Sequence, residues 1–222
     1  MNDKISIMGP ELYFELCSKL YAHTREILQK NLGDQKDSDM VDIRKLVSKY
    51  GIEIEEKKLY TKGDVFLKQL SGYFDQYYYG GKLNNIIYVH KELGELDKRY
   101  VIAHEFAHKL LNSGDNKIIS FNCINVLFPK EKEEFMSDII ASYLMLPLDR
   151  VLKLMDSFIE KKKDELPIHM IEWIRYLASH MKLSEYQTVL CFQNIRYLAC
   201  IAYNQREEFP EIDFEKYKEF FQ

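Results

Sequence analysis

The sequence predicts an α+β fold, in which a small antiparallel or mixed sheet packs on two central helices and further helices lie at both ends of the chain. Three observations predict this class. Apolar side chains recur at helical spacing in several long segments, residues 65–89 alternate in the manner of strands, and residues 100–146 carry two helical patterns separated by a loop. With 222 residues, 46% of them hydrophobic, the chain is long enough to bury one sizeable core.

The first part of the chain predicts two helices and a strand. Residues 10–29 carry apolar side chains at helical spacing, and the polar residues 31–38 are expected to end that helix. A second amphipathic pattern covers residues 41–50, and residues 52–54 alternate as a strand does. We therefore predict that residues 1–40 form an N-terminal helical extension to a core domain that follows directly.

The middle of the chain predicts a sheet followed by two helices. Residues 65–89 are expected to form antiparallel strands, since aromatic and apolar runs flank a Gly-Gly turn. Helical spacing returns over residues 100–111 and again over residues 132–146, where Pro147 ends the pattern. These segments complete the predicted core domain, which we assign to residues 41–147.

The C-terminal region, residues 148–222, predicts helices. Residues 171–203 indicate two helices joined by a short turn, and Ser184 and Gln187 have the spacing of a capping box before the second helix. The pair has the outline of a helix-turn-helix. Its few basic residues are mixed with acidic ones, however, and give little positive charge for contacts with a phosphate backbone. We therefore expect this region to pack against the core or to recognise a protein.

The composition argues against several classes of protein. The formal net charge is -4 and the pI is about 5.9, so no general excess of positive charge exists to hold a nucleic acid. Because neither a secretory signal nor an apolar segment of about 20 residues is evident, we predict a cytoplasmic protein that does not cross a membrane. The four cysteines form no C-x-x-C pair and predict free thiols.

The run His104-Glu-Phe-Ala-His108 predicts a metal site on a helix. Each helical residue turns by about 100°, so histidines at positions i and i+4 share a face and can direct both imidazoles at one ion. Glu105 sits one step around the helix, near enough to hydrogen-bond a metal-bound water without ligating the metal. This is the place of a general base, so we predict Glu105 as the catalytic residue.

A catalytic zinc needs a third protein ligand beside an open position for water, and we predict Glu134 as that ligand. Glu134 and Asp138 stand at i and i+4 of the next predicted helix, on a face that can turn toward the histidines. Asp138 is expected to accept the second ring N–H of a liganding histidine. On spacing alone, Glu133 and Asp138 are alternative ligands.

Four segments of the chain together resemble the ImmA/IrrE family of metallopeptidases, which are zinc peptidases of the gluzincin type. They are residues 41–54, 85–89, 99–108 and 134–147. The resemblance implies one zinc ion per chain, held by His104, His108 and Glu134, with Glu105 as the catalytic acid and base. The sequence departs from the family at Asp138, where asparagine is frequent, and in its first forty residues, which have no obvious counterpart.

The resemblance also implies an activity and a partner. We expect a zinc-dependent endopeptidase of narrow specificity that cuts a cytoplasmic regulatory protein, such as the helix-turn-helix repressor of a mobile or phage-type genetic element. The alternative is a non-hydrolytic, zinc-containing regulatory module that binds a partner protein. The intact Glu105 favours the enzyme, because a structural zinc site has no need of a base beside an open position.

The expected reaction needs two further features. The first is a binding site for the substrate backbone, for which we predict the strand at residues 85–89, as a sheet edge onto which an extended peptide pairs. The second is a group that stabilises the oxyanion. The sequence offers four candidates for that group, which are Tyr88, His90, Tyr143 and His180.

Overall fold

The structure is a computed structural model that describes residues 10–32, 40–60, 71–112, 129–162 and 170–204. Within these ranges the chain forms seven helices and three strands, which confirms the predicted α+β class. In chain order they are α1 (Pro10–Leu32), α2 (Ile43–Ser48), β1 (Ile52–Lys57), β2 (Gly72–Tyr79), β3 (Lys82–His90), α3 (Glu95–Asn112), α4 (Pro129–Met145), α5 (Leu148–Lys161), α6 (Met170–Met181) and α7 (Glu185–Asn204). Residues 65–70 of the segment predicted as strands lie outside the described residues, as does the loop predicted between the two central helices, at residues 115–128.

The three strands form one mixed sheet in the order β1-β3-β2. β3 pairs in parallel with β1, where Ile54 lies opposite Ile87, and antiparallel with β2, where Phe74 lies opposite Ile87. Gly80 and Gly81 both have a positive φ and form the tight turn between β2 and β3. The antiparallel pairing predicted for this segment is confirmed, and β1 adds the parallel strand.

The prediction that residues 85–89 form a free sheet edge is wrong. These residues belong to β3, which has β1 on one side and β2 on the other. The last five residues of β3 are buried on both faces, as is usual for a central strand, and its backbone groups find partners in two ladders. Among the described residues, the sheet edges belong to β1 and β2.

The two faces of the sheet meet different surroundings, because side chains alternate along a strand. Ile87 and Val89 of β3 join the main hydrophobic core, which also contains side chains of α3. Ile86 and Tyr88 point to the opposite face and pack with Leu59 in a second, smaller cluster. The helix α3 therefore lies on the face of the sheet marked by Ile87.

The main core lies between the sheet and the helices. Phe106 and Ala107 of α3 and Ile139 of α4 are fully buried in it. Leu16 and Leu20 of α1 belong to the same cluster, so the N-terminal helix packs on the core that holds α3 and α4. Since burying one leucine side chain contributes about 1.5–3 kcal/mol, α1 adds to the stability of this unit.

The helices α6 and α7 form the predicted pair with a short turn. The predicted capping box is present, since the backbone N–H of Gln187 donates to Ser184 Oγ at 3.3 Å and the N–H of Ser184 donates to Gln187 Oε1 at 3.4 Å. The amide of Gln187 also donates to Asp97 Oδ1 of α3 at 2.8 Å. The helix α7 is thus bonded directly to the helix that carries the histidines.

Two smaller expectations concern cysteines and membranes. Cys17 and Cys191 are buried, and neither forms a disulfide within the described part of the chain, as predicted. Cys123 lies outside the described residues, and the side chain of Cys200 is not among those described. In the described part of the chain, no helix combines the length and apolar character needed to cross a membrane.

Candidate metal centre

His104 and His108 come together because α3 is continuous through both residues. One helical turn separates them, and their rings meet edge to face with centroids 4.8 Å apart. The two Nε2 atoms lie 3.1 Å from each other. Only 18% of the His104 side chain and 14% of the His108 side chain are exposed, so the neighbouring groups restrict both rings.

Glu134 of α4 is the third member of the candidate metal site. Its Oε2 lies 3.3 Å from His104 Nε2 and 3.6 Å from His108 Nε2. The Glu134 side chain is 49% exposed, so the group is open to solvent on that side. The structure thus brings together the three residues that the sequence predicts as metal ligands.

The spacing of these three atoms fits a zinc ion. Nitrogen and oxygen ligands lie about 2.0–2.1 Å from zinc, so the corners of a tetrahedral site lie about 3.3 Å from one another. The observed separations of 3.1, 3.3 and 3.6 Å bracket that value. Two imidazoles and one carboxylate are also the donor set of several catalytic zinc sites, in which the fourth corner is left for water.

Asp138 and Glu133, the two alternative ligands, lie on the far side of the histidine rings. Asp138 Oδ1 is 3.0 Å from His104 Nδ1, which is an ion-pair distance without the angle of a good hydrogen bond. Glu133 Oε1 accepts a hydrogen bond from His108 Nδ1 at 2.9 Å. Because both carboxylates face Nδ1 atoms, the geometry favours Glu134 as the ligand that faces the Nε2 atoms.

The side chain of Glu105 lies between its own helix, α3, and the strand β2. The backbone N–H of Phe74 lies near enough to the Glu105 carboxyl group to lower its pKa. Burial raises the pKa of Glu105 above its ordinary value, and the opposing effects of His104, His108 and the Phe74 N–H leave the pKa raised. A carboxyl group with a raised pKa holds a proton more readily near neutral pH, which suits a group that must accept a proton and then release it.

The pKa of His104 is raised as well. Burial by itself lowers this pKa, but the carboxylate of Asp138, followed by those of Glu105 and Glu134, outweighs the effect of burial. Glu133 adds a fourth carboxylate beside the two imidazoles. The site therefore has an excess of negative charge, which favours the binding of a divalent cation.

The strand β2 approaches α3 closely because Gly72 has no side chain. A Cβ atom at this position would lie 2.4 Å from Val101 Cγ1 and 2.9 Å from the carbonyl oxygen of Tyr88. The next atom, Glu105 Cγ, would be 3.5 Å away. Glycine at position 72 therefore allows the contact between β2 and the turn of α3 that carries Glu105.

The pairing of β2 shows which of its backbone groups turn outward. The N–H of His90 donates to the carbonyl of Ser71, so the odd-numbered residues of this antiparallel ladder bond to β3. The even-numbered residues, including Phe74 and Gln76, direct their N–H and C=O groups to the other side. Since the Phe74 N–H reaches Glu105, the outer edge of β2 runs beside the predicted catalytic residue.

The four candidates for oxyanion stabilisation lie in other surroundings. Tyr88 and His90 are on the sheet face opposite α3. Tyr143 is 1% exposed and packs edge to face against a tyrosine ring of α1. His180 packs against a tyrosine ring of its own helix, with centroids 4.1 Å apart. These are the contacts of packing residues, so the structure supports none of the four in that role.

Two groups at the site were missed by the sequence analysis. The amide of Asn112 donates to Glu133 Oε1 at 2.8 Å, and the backbone N–H of Phe74 lies near the carboxyl group of Glu105. Burial raises the pKa of Glu133, but the bonds from His108 and Asn112 outweigh burial and the pKa is lowered. Asn112 stands four residues after His108, so helical spacing could have indicated it. The contact of Phe74 depends on the strand order, which no local pattern reveals.

A helix that carries H-E-x-x-H, a glutamate from the following helix and a strand edge beside the motif glutamate together define a metallopeptidase. The model of one protein family, described as Peptidase_M78, IrrE N-terminal-like domain, matches residues 47–189. The match covers more than half of the 222 residues and includes the site residues of α3 and α4. The chain therefore belongs to this family. The resemblance to ImmA/IrrE peptidases is thereby confirmed. A comparison with curated proteins finds no match.

Proposed function

We propose that this protein is a zinc-dependent endopeptidase that holds one zinc ion per chain through His104, His108 and Glu134. The observation that carries the proposal is the convergence of His104 Nε2, His108 Nε2 and Glu134 Oε2, which lie 3.1–3.6 Å from one another. Membership of a peptidase family supports the type of reaction.

In the proposed reaction Glu105 moves a proton twice. Bound zinc supplies a Lewis acid that polarises the scissile carbonyl and makes water a nucleophile at neutral pH. A carboxylate oxygen of Glu105 accepts a proton from the attacking water and returns it to the leaving amine. The burial that raises the pKa of Glu105 favours the protonated form that this relay requires. His104 and His108 would hold the zinc through Nε2, because their Nδ1 atoms face carboxylates.

The outer edge of β2 is the proposed binding site for the substrate backbone. Phe74 and Gln76 direct backbone groups to this side, and the Phe74 N–H lies at Glu105. An extended peptide that adds to this edge as a further strand brings one of its own peptide bonds beside Glu105. Backbone pairing of this kind holds the chain in place, while side-chain contacts choose the sequence.

The proposed substrate is a cytoplasmic regulatory protein such as a helix-turn-helix repressor, cut at a narrow set of sites. The support for this class of substrate is the resemblance to ImmA/IrrE peptidases. The net charge of -4 argues against a nucleic acid as the partner. The bond between Gln187 and Asp97, which ties α7 to α3, supports a packing role for the C-terminal helix pair.

The experiment that tests the proposal is elemental analysis of the purified protein. We expect one zinc per chain in the wild type and its loss in Glu134→Ala and in His108→Ala. Glu95→Gln is the matched control, because Glu95 is on α3 but pairs with Lys98 away from the histidines. Absence of stoichiometric metal from the wild type would overturn the proposal and favour a protein-binding module.

A further inference from the structure

We infer that Glu133 and Asn112 form a positioning pair that holds His108 in the orientation required for metal binding, and that Glu133 is not itself a metal ligand. The inference rests on the proposed function, because it concerns the same metal site. Neither the spacing of the motif nor the choice of Glu134 as ligand requires a role for Glu133 or Asn112.

The contacts of Glu133 carry the inference. One oxygen, Glu133 Oε1, lies 2.9 Å from His108 Nδ1 and 2.8 Å from Asn112 Nδ2. Both nitrogens donate to it, so two hydrogen bonds hold one carboxylate oxygen from two successive turns of α3. The Glu133 side chain is 38% exposed and that of His108 is 14% exposed. The bond to the ring is therefore partly shielded from water, which strengthens it.

Helical geometry explains why the partners come from these positions. His104, His108 and Asn112 follow one another at intervals of one turn along a single face of α3. Their contacts on α4 run in the opposite direction, from Asp138 at His104 to Glu133 at His108 and Asn112. The two helices are thus antiparallel here, and each histidine ring meets one carboxylate on its Nδ1 side.

The chemical consequence concerns the tautomer of His108. A hydrogen bond from Nδ1–H to a carboxylate keeps the proton on Nδ1 and leaves the lone pair on Nε2, where it faces Glu134. The same bond raises the basicity of the imidazole as a ligand. Asn112 acts one step further away, because its bond to Glu133 keeps that carboxylate turned toward the ring.

The position of Glu133 also argues against direct ligation. Its bonded oxygen lies at Nδ1, while the atoms that converge on a common point are the Nε2 atoms and Glu134 Oε2. A ring cannot present both nitrogens to the same ion. Glu133 therefore acts through His108 as a positioning residue.

The test is the zinc dissociation constant, measured by competition with a chromophoric chelator. In Glu133→Ala we expect this constant to rise by about 10–100-fold, while saturating zinc still gives one ion per chain. Glu133→Gln should lose less affinity, because its amide oxygen still accepts from Nδ1–H. Asn112→Ala should also weaken binding, and in the Glu133→Ala background, where no acceptor is left for Asn112 to hold, it should add little. Glu95→Gln on α3 is the control and should bind zinc as the wild type does.

The cobalt-loaded protein supplies a second readout that a purely structural role would not change. We expect the visible absorption bands of bound Co²⁺ to shift in Glu133→Ala and to stay in place in Glu95→Gln, because the ligand field depends on the orientation and basicity of His108. If Glu133→Ala does not fold, as judged by circular dichroism, the comparison of Glu133→Gln and Asn112→Ala with the wild type carries the test.

The outcomes separate this inference from the proposed function. An unchanged zinc affinity in Glu133→Ala, or in both milder variants, would overturn the inference and leave the zinc peptidase proposal standing. Loss of stoichiometric zinc from Glu133→Ala, with retention in Glu134→Ala, would make Glu133 the ligand and overturn it as well. A wild-type protein that binds no zinc would overturn both.

Discussion

Asn194 of α7 donates from its side-chain amide to Ser142 Oγ of α4 at 2.8 Å, and both residues are buried. Ser142 Oγ in turn donates to the carbonyl oxygen of Asp138 at 2.7 Å. The side chain of Asp138 faces His104 Nδ1. The C-terminal helix pair is therefore bonded to the turn of α4 that carries a carboxylate of the metal site.

The first prediction concerns this bond. Asn194→Ala removes the buried donor to Ser142 and should lower the free energy of unfolding by about 1–3 kcal/mol, as measured by urea denaturation. Ser142→Ala, when added to Asn194→Ala, should lower the free energy of unfolding by less than it does in the wild type, since the two side chains share one interaction. Ser179→Ala, at an exposed serine of α6, is the control. Equal stability of Asn194→Ala and the control would show that the bond contributes nothing.

The second prediction separates metal binding from catalysis. Glu105→Gln keeps the shape of the side chain but cannot accept a proton, so this variant should retain one zinc and cleave about 100–10,000-fold more slowly. The measurement is cleavage of co-expressed candidate repressors, followed by electrophoresis, with zinc content determined on the same preparation. Cleavage at the wild-type rate would exclude Glu105 as the base.

The third prediction concerns the close approach of β2 to α3. Gly72→Ala places a Cβ 2.4 Å from Val101 Cγ1, so the strand must shift away from Glu105. Such overpacking should cost about 1–3 kcal/mol of stability, measured by denaturation, and should also reduce cleavage. Adding Val101→Ala removes the nearest atom and should restore part of both quantities. If the double variant recovers neither quantity, the strand is displaced by the contact between the new Cβ and the Tyr88 carbonyl oxygen, at 2.9 Å.

The fourth prediction tests the outer edge of β2 as the substrate site. Gln76→Pro removes an N–H that points away from β3, so the protein should stay folded while kcat/KM for its substrate falls. Asp75→Pro removes an N–H that pairs with β3 and should lower stability much more. Gln76→Ala corrects for the lost side-chain bond to Asn85. Equal kcat/KM in Gln76→Pro and Gln76→Ala would exclude pairing at this position.

The fifth prediction concerns pH. Zinc binds neutral imidazole, so protons compete for His104. Burial lowers the pKa of His104, but Asp138 and its neighbours outweigh burial, so the metal-free protein holds this proton to a higher pH than an ordinary histidine of pKa about 6.5. The pair of protonated His104 and Asp138 stabilises the metal-free protein at low pH, and this contribution is lost as the pH rises through the raised pKa.

Zinc affinity should accordingly fall as the pH drops through the raised pKa of His104. Asp138→Asn removes the carboxylate that raises this pKa most, so in that variant the decrease in zinc affinity should occur at a lower pH. The measurement is the zinc dissociation constant between about pH 5.5 and 8, where histidine titrates. A fall at the same pH in wild type and variant would show that Asp138 does not control the proton on His104.

The sequence by itself determined the parts of the site that lie within one helix. His104, Glu105 and His108 take their relative positions from the pitch of α3, and Glu134 and Asp138 take theirs from α4. The capping box of α7 was predictable for the same reason, because its bonds span three residues. Local geometry of this kind needs no knowledge of the rest of the fold.

Only the tertiary structure decided the relations between elements. The apolar run of β3 has the same pattern in a central strand as in an edge strand, so its place between β1 and β2 followed from ladder pairing with both neighbours. The choice among Glu133, Glu134 and Asp138 depended on how α4 rotates against α3, which sets the carboxylate that faces the Nε2 atoms. The contact of Glu105 with Phe74 arose because a glycine lets β2 approach the helix. Such distances between distant segments are set by packing, which periodicity along the chain does not encode.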